Sequence, residues 1–256
     1  MSKDPNITTV NGRYFLTDRI RDKVNFQNTP QSQGLPRPPL QKPFPAESRI
    51  IPLPGRDRWS IPFCNLEDAI AERQSHRHFT GEPLTLAELA FLLWTTQGVR
   101  ETLHPAASMR TVPSAGCRHP FETYLAILNV AGLDSGLYRY LPLEHALIHL
   151  REIDNLPAHL VAACRGQRFS GEAAVTFLWT VIPFRTEWRY GEASYKVIAL
   201  DAGHLCQNLY LACAAIKAGT CAIAAYNQTL ADELLAVDGE EEFTIYISPV
   251  GKIPTA

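Results

Sequence analysis

The sequence predicts a mixed α+β domain behind an extended N-terminal arm, and three observations carry that reading. Thr85 and Glu88 form a capping box ahead of Leu89, Leu92 and Leu93 at helical spacing. A second helical pattern runs from Tyr195 to Ala218, apolar or small on most sides, as expected of a helix buried in a core or subunit interface. Five strand-like runs complete the set: Glu122 to Val130, Gly136 to Tyr140, Ala173 to Ile182, Thr220 to Tyr226 and Phe243 to Pro249.

In chain order the arm comes first. Nine of the 19 prolines lie at or before Pro54, and the stretch P-R-P-P-L-Q-K-P-F-P rules out regular helix or central strand, because proline fixes φ and lacks an amide donor. Composition shifts once, near residue 60, so residues 1–60 read as an arm and 61–256 as the domain. Phe44, Ile50, Ile51 and Leu53 are apolar enough for the arm to dock rather than hang free. From Asn65 the pattern is regular. Asn65 can cap a helix whose first turn carries Glu67 and Asp68, with Leu66, Ala69 and Ile70 on one side and a stop near Arg73.

Bulk properties narrow the function. With 256 residues, 46% of them hydrophobic and 20% charged, the chain can bury a sizeable core. A formal net charge of -2 offers no basic field for nucleic acid or an anionic membrane, so a small molecule is the expected partner. The longest apolar stretch, Ala173 to Phe184, is too short to span a bilayer, and the opening M-S-K-D-P lacks the plan of a signal peptide. A cytoplasmic location is therefore expected. Six cysteines without C-x-x-C or His/Cys ligand spacing indicate reduced, mostly buried thiols, with no metal site and no disulfide framework.

Four constellations can carry chemistry. R-Q-S-H-R places Arg73, Ser75 and Arg77 at alternate positions just beyond a helix, where an extended backbone aims all three one way. Two guanidinium forks and a hydroxyl suit a phosphate monoester, although two arginines past a helix end also read as solvated surface charges. P-S-A-G-C-R-H-P, from Pro113 to Pro120, is a small-residue loop leading into a strand, where exposed amides and Ser114 can approach a planar polar ring or simply make a turn. In T-C-A-I-A-A-Y, Ala222, Ala224 and Ala225 leave the backbone open to a ligand edge, or to a packed helix. P-V-G-K ends in Lys252, a candidate third cation.

In this order the pieces resemble the nitroreductase superfamily, most closely its SagB-type dehydrogenases, which include FMN-dependent azoline oxidases of ribosomal peptide maturation. The resemblance covers about residues 36 to 252. It rests on the proline-rich lead into R-I-I-P-L-P, on A-I-A-E-R-Q-S-H-R-H-F-T-G-E-P-L-T-L-A-E-L-A-F-L-L-W, and on P-S-A-G-C-R-H-P, G-L-Y-R-Y and L-D-A-G-H-L-C-Q-N-L-Y-L-A. It implies a nitroreductase fold, with a central, mainly antiparallel sheet flanked by helices. It further implies an intertwined homodimer joined through long helices, two FMN sites between subunits, and an arm that wraps the partner. Arg73, Ser75 and Arg77 would grip the FMN phosphate and ribityl end, with Lys252 at a basic phosphate-side position. Pro113, Ser114, Ala115 and Gly116 would meet the flavin of the other subunit, and the amide near Ala224 or Ala225 would face flavin N5. Gln207 and Asn208 match a family polar pair and read equally well as buried structural amides, while His204 reads as a structural histidine.

One departure bears on mechanism. Many azoline oxidases of this group carry a Lys-Tyr pair before the long helix, whereas this chain has Arg189 and Tyr190 there. Oxidising an azoline to an azole removes a hydride and, from the neighbouring carbon, a proton, so a base must stand near. Arginine stays protonated and cannot be that base. Tyr190 can be, where Arg189 stabilises its phenolate. The expected activity is thus FMN-dependent dehydrogenation of an azoline or other peptide-derived substrate. The alternatives are an NAD(P)H-fed reductase of nitro, quinone or enone compounds, and a partner subunit of a peptide-modifying complex.

Overall fold

The computed structural model describes residues 9–104 and 107–254. Nine strands and eight helices are named among them: α1 (Thr9–Leu16), β1 (Ile50–Pro52), α2 (Leu66–Glu72), α3 (Leu86–Gln97), β2 (Val99–His104), β3 (Ala107–Arg110), β4 (Phe121–Ile127), β5 (Gly136–Leu141), β6 (Ala146–Arg151), α4 (Leu156–Ala163), α5 (Phe169–Glu172), β7 (Val175–Val181), α6 (Phe184–Tyr190), α7 (Ser194–Ala215), β8 (Ala218–Thr220), α8 (Gln228–Leu235) and β9 (Phe243–Lys252). Seven strands form one sheet in the order β1-β6-β5-β4-β7-β9-β8, and β2 pairs with β3 in a separate hairpin. Each neighbouring pair in the large sheet is antiparallel.

The sheet is covered on both faces, and strand alternation shows why. In β4, Phe121, Leu125 and Ile127 join the cluster beneath α3 and α7, which includes Leu89, Leu93, Leu205 and Leu209. The intervening Tyr124 and Ala126 face the opposite cluster, formed with Leu156 and Leu160 of α4 and Ala231 and Leu235 of α8. All seven residues of both β4 and β7 are buried, so even Glu122, Thr123, Thr176 and Thr180 lie inside the fold rather than on a wet face.

Both predicted caps form. The Asn65 side chain accepts the Asp68 amide at 2.8 Å, and α2 ends at Glu72 with Arg73 as its cap residue. Thr85 and Glu88 make the reciprocal capping box of α3. Two expectations need correcting. The run from Thr220 to Tyr226 is strand only through Thr220, with one isolated bridge at Ile223. The chain leaves the sheet because the Ala222 amide goes to a tyrosine hydroxyl rather than to a neighbouring strand. The long helix stops at Ala215, and Lys217 takes a left-handed φ of 53° that turns the chain into β8.

The arm docks on its own chain at residues 40 to 54. Ile50, Ile51 and Pro52 pair with Ile148, Leu147 and Ala146, extending the sheet at an edge that tolerates proline. Upstream, the Lys42 amide donates to Glu122 Oε1 at 2.7 Å, and the Lys42 ammonium pairs with Glu242. Glu122 also binds Arg185 of α6 at 2.6 Å, while Glu242 accepts the Tyr124 and Thr180 hydroxyls at 2.9 and 2.7 Å. Glu122 and Glu242 are both buried. Among the described residues no helix is long and apolar enough to cross a membrane.

Candidate functional site

Beyond α2 the chain runs extended along the outer edge of β8. Ser75 bridges Thr220 in parallel, and the His76 amide donates to the Thr220 carbonyl at 2.9 Å. Gly219 permits this close approach, since a Cβ there would stand 2.6 Å from the His76 Cβ. Arg73 and Ser75 converge on Tyr210 of α7. The Arg73 guanidinium lies 5.5 Å from the ring centroid, and the Ser75 hydroxyl is 3.1 Å from the Tyr210 hydroxyl. That same oxygen accepts the Ala222 amide at 2.9 Å. A cavity of about 490 Å³ opens here, lined by Arg73, His76, Tyr210, Lys217 and Thr220, within the range of small-molecule sites.

The other predicted residues fall as follows. Arg77 is exposed and makes no ion pair among the described residues. Ala224 and Ala225 are exposed, and neither amide donates a hydrogen bond to a described residue. Lys252 turns towards α3, where its ammonium meets Glu88 and donates to the Ile216 carbonyl at 3.0 Å. Of the polar pair, Asn208 donates to the Thr95 carbonyl at 2.8 Å and ties α7 to α3, whereas Gln207 is exposed. His204 is half exposed, 3.8 Å from Asp201.

A second group gathers at the P-S-A-G loop. Asp201 of α7 accepts the Ser114 hydroxyl at 2.6 Å and the Ala115 amide at 3.0 Å, while Ser114 Oγ accepts the His119 amide at 2.9 Å. Burial raises the Asp201 carboxyl above its usual value, and the two hydrogen bonds oppose that rise. The loop is wound tightly: Gly116, Cys117 and His119 all have left-handed φ, of 59°, 53° and 44°. Gly116 faces Arg189 and Tyr190, the last two residues of α6. A Cβ on it would stand 2.6 Å from the Tyr190 hydroxyl and 3.1 Å from the Arg189 Cδ. The Arg189 guanidinium lies 5.5 Å from the Tyr190 ring centroid. Behind the loop, His119 is 3% exposed, and burial followed by the Arg110 charge depresses its imidazole to about 3.

The fold thus brings together Arg73 and Ser75, and separately Pro113 to Gly116 with Arg189 and Tyr190. Two organising residues, Tyr210 and Asp201, escaped the sequence reading. Both lie within L-D-A-G-H-L-C-Q-N-L-Y, and Asp201 is the one acidic residue in the 22-residue helix α7, a signal of a buried charge with a purpose.

Comparison with known proteins agrees with this architecture. A family model described as the nitroreductase family matches residues 70–252. A protein named as a nitroreductase, MJ1384 of Methanocaldococcus jannaschii, is 29% identical over 187 residues, covering 73% of this chain and 90% of its own length. The trifolitoxin-processing protein TfxB of Rhizobium leguminosarum bv. trifolii is 27% identical over 150 residues, 57% of this chain but only 35% of that protein. A crystal structure from Anabaena variabilis, also named as a nitroreductase, superposes with a TM-score of 0.67 at 28% identity, covering 82% of this chain and 42% of that one. A family match of this length, on a fold of this topology, places the chain in the nitroreductase family of oxidoreductases.

Proposed function

We propose that this oxidoreductase binds FMN and dehydrogenates an azoline or another peptide-derived substrate, working as a homodimer. The observation that carries the reading is the meeting of Arg189 and Tyr190 with the Gly116 loop, a cation and a phenol side by side on a tight backbone turn. The similarity to a trifolitoxin-processing protein supports a peptide-derived substrate and peptide-modifying partners.

The residues present fit FMN. Arg73, Arg77 and the Ser75 hydroxyl offer charged and polar donors at the edge of β8, and the amides of Ala224 and Ala225 stand exposed and undonated close in sequence to Ala222. When bound, FMN supplies a two-electron acceptor that takes hydride at N5. Arg73, Ser75 and Arg77 would hold its phosphate end, with Tyr210 fixing Ser75 and the strand edge relative to each other. Tyr190 would take the proton from the carbon next to the one that loses hydride, and Arg189 would stabilise the resulting phenolate. In the dimer, the loop from Pro113 to Gly116 and the α6 end would serve the flavin held by the partner. The exposed stripe of α7, including Leu200, Gly203 and Gln207, is the surface proposed to join the subunits.

A second reading, reduction of nitro, quinone or enone compounds with NAD(P)H, is favoured by the names given to the archaeal and cyanobacterial relatives. Tyr190→Phe separates the two. It keeps the ring and removes the ionisable hydroxyl, so thiazoline oxidation should fall about a hundredfold while nitroarene reduction falls far less. Flavin released by acid should have the mass of FMN. Equal thiazoline turnover by variant and parent, or a released flavin other than FMN, would sink the proposal.

A further inference from the structure

The cavity beside β8 is lined by the chain just past α2, by the end of α7 and by the turn into β8. Arg73 comes from the first of these and Lys217 from the turn, so two cations share one space of about 490 Å³. The hydroxyls that line it are already engaged inside the fold. Tyr210 Oη accepts the Ala222 amide at 2.9 Å beside Ser75 Oγ, and the Thr220 hydroxyl donates to the Pro249 carbonyl at 2.7 Å. Burial lowers the His76 imidazole below its ordinary value, so it lines the cavity uncharged at neutral pH. Arg73 and Lys217 pair with no carboxylate among the described residues, and neither side chain donates a hydrogen bond to one. Glu72 is the one acid among the lining residues, and it pairs with neither cation.

The backbone fixes where the Lys217 side chain leaves the turn. Its amide donates to the Ala214 carbonyl at 3.2 Å, its φ is 53°, and the next residue, Ala218, is already paired with Lys252 in the sheet. Lys252, the cation expected at the phosphate side, is held elsewhere, by Glu88 and by the Ile216 carbonyl. A phosphate monoester carries close to two negative charges at neutral pH, which a guanidinium fork and an ammonium around one space can answer together.

We propose that Lys217, rather than Lys252, is the second cation of this cavity, and that Arg73 and Lys217 together clamp a phosphate monoester, the terminal phosphate of FMN. The inference deepens the FMN reading and rests on it. It makes the turn between α7 and β8 part of the cofactor site. It also gives the site a readout of its own, because riboflavin has the ring and ribityl chain of FMN but lacks the phosphate that the two cations would hold.

The full chain, freed of bound flavin, is titrated with FMN and with riboflavin, binding being read by quenching of flavin fluorescence, and with inorganic phosphate by calorimetry. The parent should hold FMN far more tightly than riboflavin. Glycine adopts the left-handed turn freely, so Lys217→Gly should fold as the parent does. It should weaken FMN binding about tenfold or more, the scale of one charged hydrogen bond, and leave riboflavin binding unchanged. Lys217→Arg should keep most of the FMN affinity, and Lys252→Gln should leave the ratio of FMN to riboflavin affinity as it is in the parent. An FMN preference that survives Lys217→Gly intact, or one that is lost in Lys252→Gln instead, would overturn the assignment. The FMN reading fails separately, if the parent binds neither flavin. Inorganic phosphate then judges Lys217 alone: binding by the parent that is lost in Lys217→Gly supports the clamp, and phosphate bound by both alike or by neither overturns it.

Discussion

Tyr210 holds the Ser75 hydroxyl and the Ala222 amide with a single oxygen, and its ring carries the Arg73 guanidinium. Tyr210→Phe would keep the ring and remove only the hydroxyl, leaving the Ala222 amide without its acceptor. With one ordinary hydrogen bond worth about 1 kcal/mol, the melting temperature should fall by about 2–4 °C, and FMN affinity by about five- to tenfold in a fluorescence titration as the loosened strand edge must be reordered on binding. His119 makes a different prediction. Its imidazole, depressed to about 3 by burial and the Arg110 charge, is neutral when folded, whereas an unfolded histidine binds a proton below about 6.5. The unfolded state therefore holds more protons between these values, and the contribution to stability is full above the higher one and lost as pH falls towards the lower. His119→Asn, which tolerates the left-handed backbone, should flatten the acid side of the stability curve by up to about 1.4 kcal/mol per pH unit. Denaturant midpoints measured between pH 4 and 7 give both slopes, and identical slopes would show that His119 is not the group responsible.

Among the elements, α7 does the most for the site. Asp201 and Tyr210 are nine residues apart, about 13.5 Å along the axis, so one helix braces the P-S-A-G loop near one end and the Arg73 corner near the other. In the proposed dimer a half-site of each kind would come from each subunit. Elements with a local physical signature were legible in the sequence: α2 and α3 through their caps, β4 and β7 as strand-like runs rich in apolar residues. The hairpin of β2 and β3 was not, because V-R-E-T-L-H carries charge at the adjacent positions Arg100 and Glu101, one on each face, and pairs outside the main sheet. Nor was β1, a three-residue edge strand ending in proline that exists only because β6 is there to pair with it. At the site, Arg73 and Ser75 lay in a recognisable segment. Tyr210 looked like an ordinary position of a buried helix and Asp201 stood out only as its lone acid, since what each holds is distant in sequence and visible only after folding.

At the scale of the whole molecule, the matched family segment and the folded unit differ in extent. The match begins at residue 70, yet Lys42 supplies the amide to Glu122 and the ammonium to Glu242, and both carboxylates are buried against the central strands. A chain trimmed to residues 61–256 would keep every proposed flavin contact and still leave the buried Glu242 without its cation, a defect smaller than the loss of a fully buried pair because Lys42 is 38% exposed. We expect such a trimmed protein to melt well below the parent, and Glu242→Gln introduced into it to recover part of the loss; an unchanged melting temperature would show that the arm merely rests on the surface. The arm is then part of the architecture that any shortened or recombined version must carry along. Grafting the catalytic segment onto a foreign leader would succeed only where the leader brings its own cation to that place.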